Sequence, residues 1–271
     1  MCHDALNTNS DTRGRLGMLR GLIESLSRGV VLKRRLPEQF NRGALFVSPD
    51  SALKYWRFDL AKVDQTLLDV ALEHVRVGDT IWDIGANVGL FTFAAANLAG
   101  SGGSVLCIEA DIWLCNLLSR SKSLKSNVHL NIDVLPVAIS DSIDILKFNI
   151  ASRGRSANFL AKFQGSSQAG GFRETRLVPS LNLDYIVDRY KAPQFIKIDV
   201  EGAEALVLKG AQKLLTEIRP VIYCEVSSEN VDQVSSILHD HKYKMFDSEA
   251  KKTERTPLKR AVWNTLAYPE S

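Results

Sequence analysis

From residue 60 onward the chain alternates short apolar runs of strand type with longer segments of helical spacing, and this rhythm constrains the fold more than any other feature. "DTIWDIG" is a strand and "LFTFAAANLA" a helix; "SVLCIEA" is a strand and "IWLCNLLSRSKSL" a helix; "VHLNIDVLPVAI" is a further strand. The pattern continues with "NLDYIVDRY" as helix, "QFIKIDV" as strand, "EALVLKGAQKLLTEI" as helix, "PVIYCEV" as strand and "NVDQVSSILHDH" as helix. Two strands at "YKMFD" and "AVWNTLAYP" close the chain. Parallel strands need crossovers of about a dozen residues, usually helical, so the alternation predicts an α/β fold: a mostly parallel sheet with helices on both faces. The closing strand pair predicts an antiparallel hairpin at the sheet edge.

The remaining features set boundaries. Residues 1–60 read as an N-terminal helical extension, polar and frayed over 1–14, with Leu16, Leu19, Leu22, Ile23 and Leu26 at helical spacing among Arg and Lys. Residues 61–271 read as the main domain. Residues 1–42 carry eight Lys or Arg against four Asp or Glu, so most of the net charge of +3 resides there. Packing on the main domain is the favoured reading of this basic stretch, with a peripheral membrane contact and a partner contact as the alternatives. The near-neutral body lacks the electrostatic footprint of a nucleic-acid binder. No run approaches the roughly 18 apolar residues of a membrane span, and the first 20 residues lack a signal-type apolar core, which predicts a cytoplasmic protein. The four Cys form no CxxC pair and the five His no HExxH spacing, so no metal site is assigned. Residues 151–177, rich in Gly, Ser and Asn, break the rhythm as either a surface loop or a wall of the substrate site.

Ligands of open α/β sheets bind beyond the carboxyl ends of the strands, so the residues after each strand carry the functional reading. At the first corner, "DIGANVG", Gly85 permits a tight turn, Asn87 stands within it and Gly89 allows close approach of the following helix. The spacing is GxxxG rather than GxGxxG, and Asp83 would repel a pyrophosphate; a cationic ligand with an amino acid tail suits the corner better. Glu109 lies about 24 residues beyond Gly85, where an acid accepts hydrogen bonds from ribose hydroxyls. Ser140 and Asp141 end the next strand within reach of an adenine amino edge. Together these corners describe a nucleoside with a positively charged arm, which is the chemistry of S-adenosylmethionine.

The segments "DIGANVGLFT", "CIEAD", "PVAISDS", "FIKIDVEGAEALVLKGA", "VIYCEV" and "WNTLAYP" resemble the FkbM-type family of S-adenosylmethionine-dependent methyltransferases, from roughly residue 60 to the end. The resemblance implies a Rossmann-like, seven-stranded methyltransferase sheet of order 3-2-1-4-5-7-6 and transfer usually to an oxygen. The acceptor expected is a hydroxyl of a small molecule or glycan: a sugar, lipid-linked sugar or polyketide-type product.

An alcohol needs help to lose its proton, and the catalytic candidates sit at the ends of the fourth and fifth strands. Asp199 is read as acceptor-positioning residue or base, with Glu201 and Glu225 in support; capping of the next helix is the structural alternative for Asp199 and Glu201. A divalent cation on these acids is the less favoured alternative. Lys197 is read as neutralising the acids, with acceptor binding the alternative; Trp263 as core, with a stacking platform for a sugar the alternative; Asn264 as holding the donor or acceptor edge; and Arg153 and Arg155 as solvated loop charges, with contact to a polar acceptor the alternative. The competing class is a methyltransferase-like binding protein without catalysis; a dehydrogenase is disfavoured by the missing dinucleotide glycines.

Overall fold

The structure is a computed structural model and describes residues 21, 23–162 and 169–270. The segment read as helix around 15–35 is helical at residues 21 and 23–26 and then extends into strand β1 (Leu32–Arg35), which pairs antiparallel with β2 (Ala44–Val47). Residues 1–20 of that segment lie outside the described residues. The β1–β2 hairpin is seated on the body: Phe40, Leu45 and Val47 are buried in the same cluster as Phe91 and Phe93.

The body follows the predicted rhythm. Helix α1 (Gln65–His74) starts where the Asp64 carboxylate accepts the Leu67 N–H at 3.1 Å. It leads to β3 (Thr80–Ile84), α2 (Leu90–Ala99), β4 (Ser104–Ile108), α3 (Ile112–Lys122, capped by Asp111) and β5 (Ile132–Leu135). The apolar run that continues past β5 does not stay in the sheet. Pro136 interrupts it, and the chain resumes as β6 (Ala138–Ile139) in a second sheet.

The segment read as irregular contributes part of that second sheet. The sheet comprises β6, β7 (Asp144–Ala151), β8 (Phe159–Leu160) and β9 (Phe172–Leu181), in the order β6-β9-β7-β8. β8 and β9 escape a periodicity search because β8 is two residues long and β9 runs through consecutive polar residues, Arg173 to Arg176, with half its length exposed.

After α4 (Leu183–Val187) come β10 (Phe195–Ile198), α5 (Glu204–Lys209), β11 (Val221–Glu225), α6 (Val231–Asp240), β12 (Tyr243–Asp247) and β13 (Asn264–Pro269). The main sheet has the order β12-β13-β11-β10-β3-β4-β5, which is the expected 3-2-1-4-5-7-6 arrangement. β13 is antiparallel to both neighbours and lies between β11 and β12, so the closing pair is inserted into the sheet rather than appended as a hairpin. Helices α1 to α3 cover one face and α4 to α6 the other, each over its own apolar cluster. Cys107, Cys115 and Cys224 are buried and free, as expected of inert thiols. Among the described residues no helix is long and apolar enough to cross a membrane.

Candidate active site

Strand register creates the central charge cluster. Lys197 of β10 lies opposite Asp83 of β3 on one side and Tyr223 of β11 on the other. Its ammonium is buried, 3.2 Å from Asp83 Oδ1 and 3.3 Å from Asp199 Oδ2, and it donates to the Gly85 carbonyl at 2.8 Å. Burial opposes its charge, but the carboxylates of Asp83, Asp199 and Glu225 outweigh that and hold it protonated, above the ordinary lysine range. Lys197 therefore neutralises the acids, as its alternation with them suggests.

Asp83 is spent inside this cluster. It is fully buried, accepts a hydrogen bond from Thr92 Oγ1 at 2.5 Å and lines neither of the two cavities at this sheet edge. The expectation that Asp83 meets a cationic ligand is corrected: strand alternation turns its side chain under the α1–α3 layer, where Lys197 takes its charge.

The first cavity, about 600 Å³ with its open mouth, lies beyond β3, β4 and β10. Its apolar walls are Ile108, Val137, Ile139, Phe148 and Leu160, the last three supplied by the second sheet. Gly85, Asn87, Glu109, Asp199 and Glu201 give it a polar side. The Glu109 carboxylate accepts the Asn87 N–H and the Asp111 N–H, both at 2.8 Å. Burial raises its pKa to about 7 against the pull of those two donors.

Ser140 and Asp141 stop just short of this cavity. Ser140 is buried and donates to Asp141 at 3.0 Å, and the wall at this corner is formed instead by the preceding residues, because the chain leaves the main sheet at Pro136. Gly89 is also away from the cavities: at φ +88° it caps α2, and a β-carbon there would meet Leu118 and Phe93. Gly85, at φ +76°, is needed for a different contact, since its β-carbon would lie 1.8 Å from the Asp199 carbonyl oxygen.

The second cavity, about 1250 Å³ with its mouth, is lined by Tyr55, Asp64, Lys197, Glu225 and Trp263 among others, and it shares Asn87, Ser156, Asp199 and Glu201 with the first. The two cavities thus meet at four residues. Glu201 sits there at φ +45°, followed by Gly202 at φ +96°. The turn is pinned by Glu204, whose carboxylate accepts the Gly202 N–H at 2.7 Å and the Ser227 hydroxyl at 2.8 Å, while Asn230 donates to the Gly202 carbonyl at 2.8 Å. Helix α5 begins only at Glu204 and has no side-chain cap from Asp199 or Glu201, so capping is not what those acids do.

Glu225, at the end of β11, accepts no hydrogen bond from any described residue. Burial, and then the charge of Asp199, raise its pKa to about 8 while Lys197 works against them. Asp199 by contrast is tied to Lys197.

Several site residues escaped the sequence reading. Tyr55 belongs to the N-terminal extension, whose short 3-10 turn Leu53–Trp56 forms one side of the second cavity. Trp263, read as core, is 54 % exposed on the cavity wall. Asn264, read as a ligand contact, is committed to protein partners, accepting from Tyr223 Oη and donating to Glu249, each at 2.8 Å. Arg155 is no solvated charge: it bonds Asp50 at 2.9 Å, bonds Asp111, and stacks over Trp113 while lining the first cavity. Only the register of sheet and hairpin brings these residues together. Among the described residues no group of three His, Cys, Asp or Glu side chains is arranged to hold a metal ion.

The chain is 23% identical over 239 residues to the hexuronic acid methyltransferase AglP of Haloferax volcanii, covering 87% of this chain and 89% of that protein. Among solved structures, methyltransferase FkbM from Methylobacillus flagellatus KT is 18% identical with a TM-score of 0.45, over 74% of this chain and 50% of that one. Precorrin-6y C5,15-methyltransferase from Geobacter metallireducens GS-15 is 13% identical with a TM-score of 0.45, over 76% and 89%. Residues 83–245, which hold the glycine corner, Glu109, the Lys197 cluster and Glu225, match the methyltransferase FkbM domain, and the chain belongs to that family of methyltransferases.

Proposed function

We propose that the protein is an O-methyltransferase that uses S-adenosylmethionine to methylate a hydroxyl of a glycan acceptor. One observation carries the proposal: two cavities of different character meet at Asn87, Ser156, Asp199 and Glu201, and the second contains a carboxyl group, Glu225, with no hydrogen-bond partner among the described residues. The first cavity has the chemistry to hold the donor. Its apolar walls suit an adenine, Glu109 retains lone pairs for ribose hydroxyls, and Asp199 offers a carboxylate to the cationic arm. When bound, S-adenosylmethionine supplies an electrophilic methyl carbon on a sulfonium.

The chain's own residues then have two tasks. The junction residues align the acceptor oxygen, which provides much of the rate. Glu225 takes the hydroxyl proton onto its free carboxylate, replacing Asp199 in the role of base because Asp199 is held in an ion pair with Lys197. The hexuronic acid methyltransferase similarity supports a sugar acceptor. Calorimetric titration with S-adenosylmethionine, followed by isotopically labelled methyl transfer to a glycan panel, tests the proposal. Glu225→Gln should bind the donor as the parent does and turn over roughly 10²–10⁴-fold more slowly. Absence of affinity for S-adenosylmethionine and its demethylated product would overturn the whole proposal, and donor binding without transfer would favour a non-catalytic binding protein.

A further inference from the structure

Trp263 is an anomaly on the wall of the second cavity. Large aromatic side chains stabilise a fold through the area they bury, and Trp82 follows that rule, fully buried with its indole N–H donating to the Lys191 carbonyl at 3.2 Å. Trp263 leaves more than half of its surface exposed, and its indole N–H has no partner among the described residues. Its backbone is nevertheless fixed: the Trp263 carbonyl accepts the Val226 N–H at 2.8 Å, and the next residue, Asn264, is the register partner of Glu225. A rigid apolar plate with a free polar edge thus stands beside the unpartnered carboxyl group, in one cavity.

The charges of that cavity narrow what the plate can receive. Four carboxyl groups line it, those of Asp64, Asp199, Glu201 and Glu225, against two lysines. Both lysines are engaged: Lys54 lies 3.1 Å from Asp64, and Lys197 is enclosed by Asp83 and Asp199. An acidic acceptor would bring a fifth carboxylate to a wall with no unengaged cation among the described residues, whereas a neutral pyranose offers hydroxyl donors to the acids and an apolar C–H face to the indole.

We propose that Trp263 is the platform on which a neutral pyranose ring of the acceptor lies, with the reacting hydroxyl turned toward Glu225. This deepens the glycan acceptor proposed above and rests on it. It also separates this protein from its hexuronic acid methyltransferase relative in the charge of the sugar accepted.

The test uses the full chain, S-adenosylmethionine, and a matched pair of simple acceptors, a methyl hexoside and the corresponding methyl hexuronide. The hexoside should show the higher kcat/KM. Trp263→Ala should raise its KM about tenfold or more, the loss expected of an aromatic contact worth about one decade in affinity, while the Kd for S-adenosylmethionine, read by calorimetry, stays at the parent value. Trp263→Phe, which keeps a plate, should recover part of the KM and guards against a folding defect in the alanine variant. Methylation of the hexoside with unchanged KM in Trp263→Ala would remove the platform alone, and preference for the hexuronide would overturn the neutral acceptor. Methylation of neither sugar, with donor binding intact, would remove the sugar acceptor and the platform together.

Discussion

Gly85→Ala should damage turnover more than stability, and the structure says by how much. An L-residue at φ +76° costs about 1–2 kcal/mol over glycine. The new β-carbon would also lie 1.8 Å from the Asp199 carbonyl oxygen, where contacts below 3.0 Å do not occur, so β3 and β10 must separate by about 1.2 Å at their ends. Overpacking of this kind costs about 1–3 kcal/mol, giving about 2–5 kcal/mol in all and a fall in Tm of about 4–20 °C for a domain of this size. Separation strains the Asp199 N–H to Ile84 carbonyl bond of 3.0 Å and moves Asp199, which lines both cavities. Misplacement by about an ångström costs roughly 100-fold in rate, which should persist well below the melting temperature. Gly89→Ala is the matched control: its φ is as unfavourable, but its β-carbon meets only the flexible side chains of Leu118 and Phe93 at 2.6 and 2.9 Å. It should lower Tm while leaving turnover of the folded fraction near the parent value. Thermal melts read by circular dichroism, with methyl-transfer rates measured about 20 °C below each midpoint, decide the matter. Equal loss of turnover in both variants, or none in Gly85→Ala, would refute the account of Gly85 as the residue that positions Asp199.

Other perturbations separate charge from packing. With Glu225 as the proposed base and its pKa raised to about 8, kcat/KM should climb roughly tenfold per pH unit below that value and level off above it; Glu225→Gln should abolish the limb, and a profile flat from about pH 6 to about pH 9 would exclude the assignment. Lys197→Met leaves buried Asp83 without its counter-charge and should cost about 3–5 kcal/mol in urea unfolding. In the folded fraction the same variant should shift the limb upward, since Lys197 is what lowers the pKa of Glu225. Arg155→Met takes one of two cations from Asp50, leaving Arg173 at 2.8 Å, and the nearer of two from Asp111, leaving Arg176 at 3.7 Å; it should weaken S-adenosylmethionine binding at the cavity Arg155 lines, as calorimetry would read directly.

The order of the main sheet was legible because each strand and helix carries its own period. β3 and β10 are short, mostly apolar runs buried on both faces, as parallel strands between helix layers are. Much of the second sheet was not legible: β8 is too short for a period, and β9 carries consecutive polar residues on a half-exposed surface that reads as loop. At the site, residues immediately after strands were found by position alone, which is why Asn87, Glu109, Asp199, Glu201 and Glu225 fall on the cavities. Asp83 was misread because its partner is set by the register of β3 on β10, a quantity no single strand contains. Tyr55 and Trp263 reach the second cavity from segments remote in sequence, one from the extension and one from the bend just before the inserted strand β13.

The division of labour among the acids follows from where one lysine is placed. Five carboxyl groups, Asp83, Glu109, Asp199, Glu201 and Glu225, stand along a single sheet edge, and their mutual repulsion would drive protons onto several of them if no cation intervened. Lys197 is buried between Asp83 and Asp199, close enough to form ion pairs with both, and it influences Glu225 only at longer range. The two acids beside the ammonium are thereby held in oriented ion pairs, suited to holding the corner and facing a cationic ligand. Glu225, which has no ion pair with Lys197, keeps a carboxyl group whose pKa is raised to about 8, a range in which a base both accepts and gives up a proton readily. Exchanging Lys197 for any neutral residue should therefore disturb the whole row at once, whereas removing Glu225 should silence proton transfer and leave the remaining pairs intact.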